Sequence, residues 1–524
     1  MKAYVQARAA GSFGASAEAA KAYAAALAAT PDSPMLAARA FNEAVAAGDW
    51  PLALNSARTL ERSGEASADV RLLLLSEALR ERDWRRASLH IDALEKDEVF
   101  GFMGPVLRAW TAVGSRRGNP FTFLAAGEGN PMASSYAREH RPLLLLAAGQ
   151  RDQGARELLE LTKSGEGLAE QRLRIAGAAL LARKGDREAA LTLLEGDAPA
   201  LVKARGLVES RRGVPGEIAS APAGAAEFMV RIAGDLYRQS INDLALRLAR
   251  IATFLAPENS ETWLVTADLL SAQKRQGPAL AALDQVKSSD PFAGAVQDTR
   301  IKLLLDSGRQ QEALVQAQAQ ASALGATAAD WTRLGMLLTE LERQNEAALA
   351  FDRALQLRGA GEGSQSEWML RLLKGGALEQ AGSWPEAKAE LEAAYKLAPE
   401  QAIVLNYLGY AQLERRENVE QATRLIEEAS RLEPDSAEIT DSLGWAYFLR
   451  GELPKAIELL ERAAAAAPAD PEINEHLGDA YYKGGRRFEA RYAWKAALLY
   501  AQAKDAARLR AKIEAGLTPE LASP

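Results

Sequence analysis

The sequence contains no cysteine. That excludes disulfides, thiolate metal sites and a cysteine nucleophile. Histidine is nearly absent: the chain has only His90, His140 and His476, far apart from one another. Such spacing suggests no metal cluster and no histidine acid–base pair, so each reads as a helix-surface or groove residue. No GxxxxGK[ST] motif occurs, and the glycine-rich "GAGEGSQ" (Gly359 to Gln365) lacks the lysine and strand context of a phosphate loop. With 70 acidic residues the chain offers many carboxylates, but its pattern marks no catalytic pair. A non-enzymatic protein with no cofactor and no metal is expected.

Long apolar runs are missing as well. "VRLLLLSEALR" (Val70 to Arg80) and "RPLLLLAAG" (Arg141 to Gly149) fall well short of the roughly 18 residues needed to cross a bilayer. The first residues, Met1-Lys2 followed by "AYVQARAA", show neither the apolar core nor the cleavage pattern of a leader. Either a cytoplasmic protein or a mature segment is expected from that start. Excess positive charge is also lacking. The formal charge of −7 gives nucleic acid no general electrostatic support as a partner.

What is abundant is alanine, in runs such as "ERAAAAAP" (Glu461 to Pro468), while aromatics make up only 6% of 524 residues. Alanine is the strongest helix former, and its small side chain lets helices approach closely. The length exceeds what one core serves. An all-α protein built of helix packed on helix is expected.

A repeat organises it. "NYLGYAQLERR" (Asn406 to Arg416), "TDSLGWAYFLR" (Thr440 to Arg450) and "EHLGDAYYKGG" (Glu475 to Gly485) share a glycine, at Gly409, Gly444 and Gly478. Stepping back from Gly409 by 34 reaches Gly375, then by 40 Gly335, the long step holding "GAGEGSQ". Further steps of 34 reach Ile301, Ala267 and Ala233. Twelve residues after each anchor stands an alanine: Ala245, Ala279, Ala313, Ala347, Ala387, Ala456 and Ala490, with Ala422 one place later in its unit. Proline often closes the unit, at Pro257, Pro291, Pro399, Pro434 and Pro468. The same ruler runs more faintly through Ala7, Phe41, Leu75, Ala109, Leu143 and Gly177. The unit around Ala109 is the weakest, interrupted by Pro120 and "AAGEGNP". Each unit reads as two helices, and a glycine at the anchor removes the side chain where they cross, offsetting a propensity cost of about 1 kcal/mol.

Between Gly177 and Ala233 the step is 56. The intervening segment, Ala198 to Ala226, reads as one basic helix and a Pro/Gly/Ala linker. The expected organisation is divergent repeats over 1–198, an extra helix and linker over 199–225 as a hinge or boundary, a regular array over 226–500, and a capping helix end with a disordered tail over 501–524.

This grammar resembles the tetratricopeptide repeat, with about fourteen units, and the last three units resemble the C-terminal repeats of exported Gram-negative proteins of the outer-membrane lipoprotein type. One of that group is an adaptor for a carboxyl-terminal processing protease. The resemblance implies a helix-turn-helix solenoid, a right-handed superhelix whose first helices line a concave face. It also implies a protein or peptide partner, such as that protease or its substrates. It suggests a periplasmic or outer-membrane-associated location, with membrane attachment only through a removed N-terminal lipid anchor; the lipid-bearing cysteine is absent. The alternatives are a cytoplasmic location and a structural subunit of an export or polysaccharide-secretion machine.

On that geometry the concave positions fall three before, one after and four after each anchor. They are Asn406, Tyr410 and Leu413; Asp441, Trp445 and Phe448; Glu475, Asp479 and Tyr482. Aromatics separated by amides and carboxylates suit a peptide channel, although Trp445 and Phe448 fit equally well as packing between units. Residues 399–480 carry 17 acidic and 7 basic side chains, and residues 481–512 carry 2 acidic and 9 basic ones. A negative groove favours a basic peptide and does not suit a clamp that holds a C-terminal carboxylate. The basic closing segment reads as a solvating cap, with a membrane-surface helix as its other reading.

Overall fold

In the computed structural model, residues 2–521 are described except 13, 164, 166, 325, 359–363, 519 and 520. Most of the "GAGEGSQ" insertion and the end of the tail therefore lie outside the described residues. The described residues form α-helices joined by turns, with one short 3-10 turn at Gly101–Met103 and no strand. The chain divides into two compact units, residues 1–316 and 317–524.

The second unit follows the ruler. Its helix pairs are Ala328–Glu340 with Gln344–Leu357, Ser364–Gln380 with Trp384–Leu397, Ala402–Glu414 with Val419–Leu432, Ala437–Leu449 with Leu453–Ala466, and Pro471–Lys483 with Arg487–Tyr500. A last helix, Ala503–Ala515, follows. Each anchor glycine meets one bulky side chain of its partner helix. A Cβ added at Gly335 would stand 2.5 Å from Phe351, at Gly375 2.8 Å from Leu391, and at Gly444 2.8 Å from Leu460. At Gly478 it would meet the Trp494 ring at 2.4 Å. The partner is the sixteenth residue after the glycine. At Gly409 it is the seventeenth, Ile426 at 2.7 Å, because Asn418 adds a left-handed residue (φ 47°) to that turn. The alanines twelve places after the anchors are fully buried.

Unit one begins the same way. Ala7, Phe41, Leu75, Ala109 and Leu143 are all buried. Its second-helix positions lose the pattern at Phe121, Ala155 and Ala189, which are only half-buried, where the helix Pro120–Ala125 is cut to six residues.

The expected boundary at 199–225 is where structure and sequence part. Helix Pro199–Glu209 forms as expected, but the segment after it is packed rather than hinged. Ile218 is buried, and Gly216 (φ 80°) lies against the Arg172 guanidinium. The next two helices, Ala221–Arg238 and Asn242–Leu255, turn back onto the first helices of earlier pairs: Pro34–Ala47, Ala68–Glu81, Gly104–Ser115 and Pro131–Ala147. This repeat therefore belongs to unit one, and the array does not begin afresh at residue 226. Burial of apolar surface favours this arrangement: Phe228, Met229, Val230, Ile232, Leu248 and Ile251 are all buried.

Polar contacts fix the register. Arg247 pairs with Asp69 at 2.8 Å, and Arg231 with Glu139 at 3.1 Å. Arg80 Nη1 donates to the Phe254 carbonyl at 3.0 Å, and the Tyr136 hydroxyl donates to Asp235. Phe228 sits edge-on to Tyr136 and His140, with centroids 5.2 Å apart in each case. His140 accepts from Trp110 Nε1 at 3.1 Å, and burial pushes its pKa down to about 3, so it is neutral. Four first helices of unit one are thus covered by a returning pair of its own chain.

Candidate functional site

In unit two the first helices Ala402–Glu414, Ala437–Leu449 and Pro471–Lys483 pack one on the next as a wall, and the nine expected groove residues fall on them. The structure sorts them into two groups. Leu413, Asp441, Trp445, Glu475 and Asp479 are buried, whereas Asn406, Tyr410, Phe448 and Tyr482 are half-exposed.

The buried group is engaged within the chain. Trp445 lies between two rings, stacked on Phe448 (4.6 Å between centroids) and on His476 of the next first helix (4.2 Å, 15°). Its indole is therefore an inter-repeat contact, the packing alternative the sequence left open. Asp441 Oδ2 stands 2.9 Å from His476 Nδ1. Asp479 accepts from Trp494 Nε1 at 2.8 Å and binds Lys512 Nζ, also at 2.8 Å. Glu475 takes both ends of the Arg508 fork at 2.9 Å and Lys512 at 2.6 Å. Direct contact of Leu413, Trp445, Glu475 and Asp479 with a partner is therefore not what the geometry offers, whereas Asp441 engages only one of its two carboxylate oxygens.

One row remains informative. Asn406, Asp441 and Glu475 occupy the same place in three successive first helices. The third is covered by two cations of the final helix. In the other two, buried acceptor oxygens, Asn406 Oδ1 and Asp441 Oδ1, have no hydrogen-bond partner among the described residues. Desolvated acceptors without donors cost free energy, and an arriving donor recovers it.

The wall beside this row is acidic. The Tyr410 hydroxyl donates to Glu472, two repeats on, and burial with that carboxylate holds the phenol well above its ordinary pKa. Glu414 is pushed up by burial and then by neighbouring Glu379 and Glu472. Arg415 answers Glu379 and stacks over Trp384 at 4.3 Å, leaving the net balance negative.

Sequence reasoning missed Glu472, Lys512 and Arg508 as parts of this wall, and read His476 as a helix-surface or groove residue rather than as the buried partner of Asp441. The histidine was one isolated ring in a sequence poor in histidine. The cations carried a signal: Arg508 and Lys512 are four residues apart, hence on one helix face. No group of three or more His, Asp or Glu side chains suited to a metal occurs among the described residues, and none of the described helices is long and apolar enough to cross a membrane.

Comparison with known proteins agrees with the repeat. Two family models match, one described as a tetratricopeptide repeat over residues 372–422 and one as a TPR repeat over 444–485. Among solved structures, a thermophilic TPR protein of Thermus thermophilus is 25% identical over 36% of this chain and 98% of its own, with a TM-score of 0.31. A tetratricopeptide repeat protein of Parabacteroides merdae is 13% identical over 49% and 99%, with a TM-score of 0.39. The Cut9–Hcn1 hetero-tetramer of the APC/C is 14% identical over 99% and 96%, with a TM-score of 0.40. No curated protein matches.

Proposed function

We propose that this tetratricopeptide repeat protein is a non-enzymatic binding scaffold that holds a basic, donor-rich segment of a partner protein on the first-helix wall of residues 317–524. The observation that carries the reading is the row Asn406, Asp441 and Glu475. Its last member is satisfied by Arg508 and Lys512, while the first two keep buried acceptors unmatched. The chain's own final helix is the pattern for a ligand: cations four residues apart on a helical or extended segment. The half-exposed Tyr410, Phe448 and Tyr482 would supply aromatic contact beside them.

The test is selection of random peptides displayed on phage against the folded chain and against an Asn406→Leu variant with unchanged melting. Enrichment of lysine and arginine four residues apart on the parent, lost on the variant, is the expected result. Peptides without cationic enrichment, or equal selection on both proteins, would overturn the reading.

The finer reading is an adaptor in the bacterial envelope that engages a carboxyl-terminal processing protease or its substrates. What supports it is the likeness of the last three repeats to exported proteins of that kind. Titration of a purified protease of that class into the chain tests it directly. A second reading, a structural subunit of an export or polysaccharide-secretion machine, draws support from unit one. With four of its first helices covered by the returning pair, a large docking partner would have to use the surface left over, where Leu89, Val99 and Met132 are exposed.

A further inference from the structure

The outer face of the last repeat's second helix, Arg487–Tyr500, breaks a rule that the three preceding repeats keep. Its buried side is Ala490, Ala493, Trp494 and Ala497. Directly opposite, at steps of four, three and four, stands the row Phe488, Tyr492, Lys495 and Leu499. Phe488 is 70%, Tyr492 59% and Leu499 78% exposed, and the two rings pack on each other at 4.8 Å. The same row one repeat earlier reads Pro454, Glu458, Glu461 and Ala465. Two repeats earlier it reads Glu420, Arg424, Glu427 and Arg431, and three earlier Pro385, Ala389, Glu392 and Lys396. Of these four repeats, only the closing one carries bulky apolar groups on its outermost ridge.

The charge around the ridge has one sign. Arg487, Arg491 and Lys495 are exposed beside it, Lys495 lies over the Tyr492 ring at 5.7 Å, and Arg486 ties down Glu489 at 3.1 Å. A second copy docking through the same face would bring like charges together. The feature is a convex ridge rather than a groove, so it suits a soft, flat surface. Aromatic and leucine side chains can sink into such a surface while arginine and lysine reach anionic groups at its edge.

We propose that this ridge is a peripheral contact with an anionic lipid bilayer, in which Phe488, Tyr492 and Leu499 enter the headgroup boundary and Arg487, Arg491 and Lys495 bind lipid phosphates. The contact is separate from the first-helix wall and does not depend on any peptide bound there.

Flotation of the full chain with lipid vesicles tests it, using phosphatidylcholine alone and phosphatidylcholine with about a quarter phosphatidylglycerol. Binding to the anionic vesicles only, weakened by about 0.5 M salt, is expected. A Phe488→Ser/Tyr492→Ser/Leu499→Ser variant and an Arg487→Glu/Arg491→Glu/Lys495→Glu variant should each bind at least about tenfold less while melting like the parent. Leu499→Ser alone keeps the test open if the triple variant fails to fold. Absence of flotation, equal binding to both vesicle types, or undiminished binding by the folded variants would overturn the proposal. So would capture of an acidic protein through this ridge by a chain that ignores vesicles.

Discussion

Asp441 and His476 face each other 2.9 Å apart across two successive repeats, both buried, with the Trp445 indole laid flat on the imidazole. Burial disfavours the imidazolium, but Asp441 outweighs it, with Glu472 and Asp479 adding to the effect, and the His476 pKa rises from 6.5 to about 9. A raised pKa means the folded state holds the proton more tightly, so the stabilisation is fully present below 6.5 and is lost as pH climbs through 9. Asp441 itself is pushed up by burial more than His476 draws it down, so the net gain is smaller than the histidine shift alone suggests. Melting temperature measured from about pH 6 to about pH 10 should fall across the upper half of that range. A His476→Gln variant should start lower, by about 3 kcal/mol from leaving a buried charge unpaired, and show little further decline over the same interval.

The final helix should respond to pH in the opposite direction. Burial works against ionisation of Glu475, but Arg508 and Lys512 prevail and bring its pKa to about 2 from 4.5. That contribution is present above 4.5 and lost as pH falls toward 2. Amide exchange in residues 503–515 should therefore accelerate in acid before exchange in the preceding repeats does. Lys512 is fully buried between Glu475 and Asp479, so Lys512→Met leaves two buried carboxylates facing each other. We expect a cost of about 3–5 kcal/mol, read by denaturant unfolding. Exchange rates in this helix that ignore both acid and the substitution would contradict the assignment.

The anchor glycines make a steric prediction. Alanine in a helix gains about 1 kcal/mol of propensity over glycine. At Gly478, however, the new Cβ would stand 2.4 Å from the Trp494 ring, a side chain fixed by its hydrogen bond to Asp479. The overpacking penalty of about 1–3 kcal/mol should win, and Gly478→Ala should unfold at lower denaturant. Gly451, in a turn at φ 80° with open space around it, should instead suffer from backbone strain when substituted, with no repacking of its neighbours.

How much of this was legible follows from where the physics is local. The glycine–alanine ruler records helix crossings within one unit, so the sequence carried it directly, including the one-residue shift at Ala422. The burial of Trp445 and Asp441 depends on the neighbouring unit, and periodicity alone could not separate a lining residue from an inter-repeat contact. The fate of residues 221–255 depends on partners about a hundred residues away or more, such as Asp69 and Tyr136. Repeat counting treats every unit as touching its neighbours only. It therefore read the Pro/Gly/Ala stretch as a hinge or boundary, whereas the pair after it packs back on earlier helices and the division into units falls after residue 316.

That fold-back yields the sharpest test of the domain reading. If residues 221–255 complete unit one, a chain of residues 1–316 should melt in one cooperative transition, while a chain ending at residue 198 should not. The shorter chain would expose Tyr136 and His140, whose partner Phe228 has been removed, and Trp110, which packs against Gly224. It should then bind hydrophobic dye, and protease should degrade it rapidly. Within the intact protein, Phe228→Ala opens a cavity at the same place and should cost about 3–5 kcal/mol in unit one. The melting of residues 317–524 should stay unchanged, because Phe228 packs within the first unit. A 1–198 fragment as protease-resistant as 1–316 would show that the N-terminal repeats stand alone and that the returning pair only rests on them.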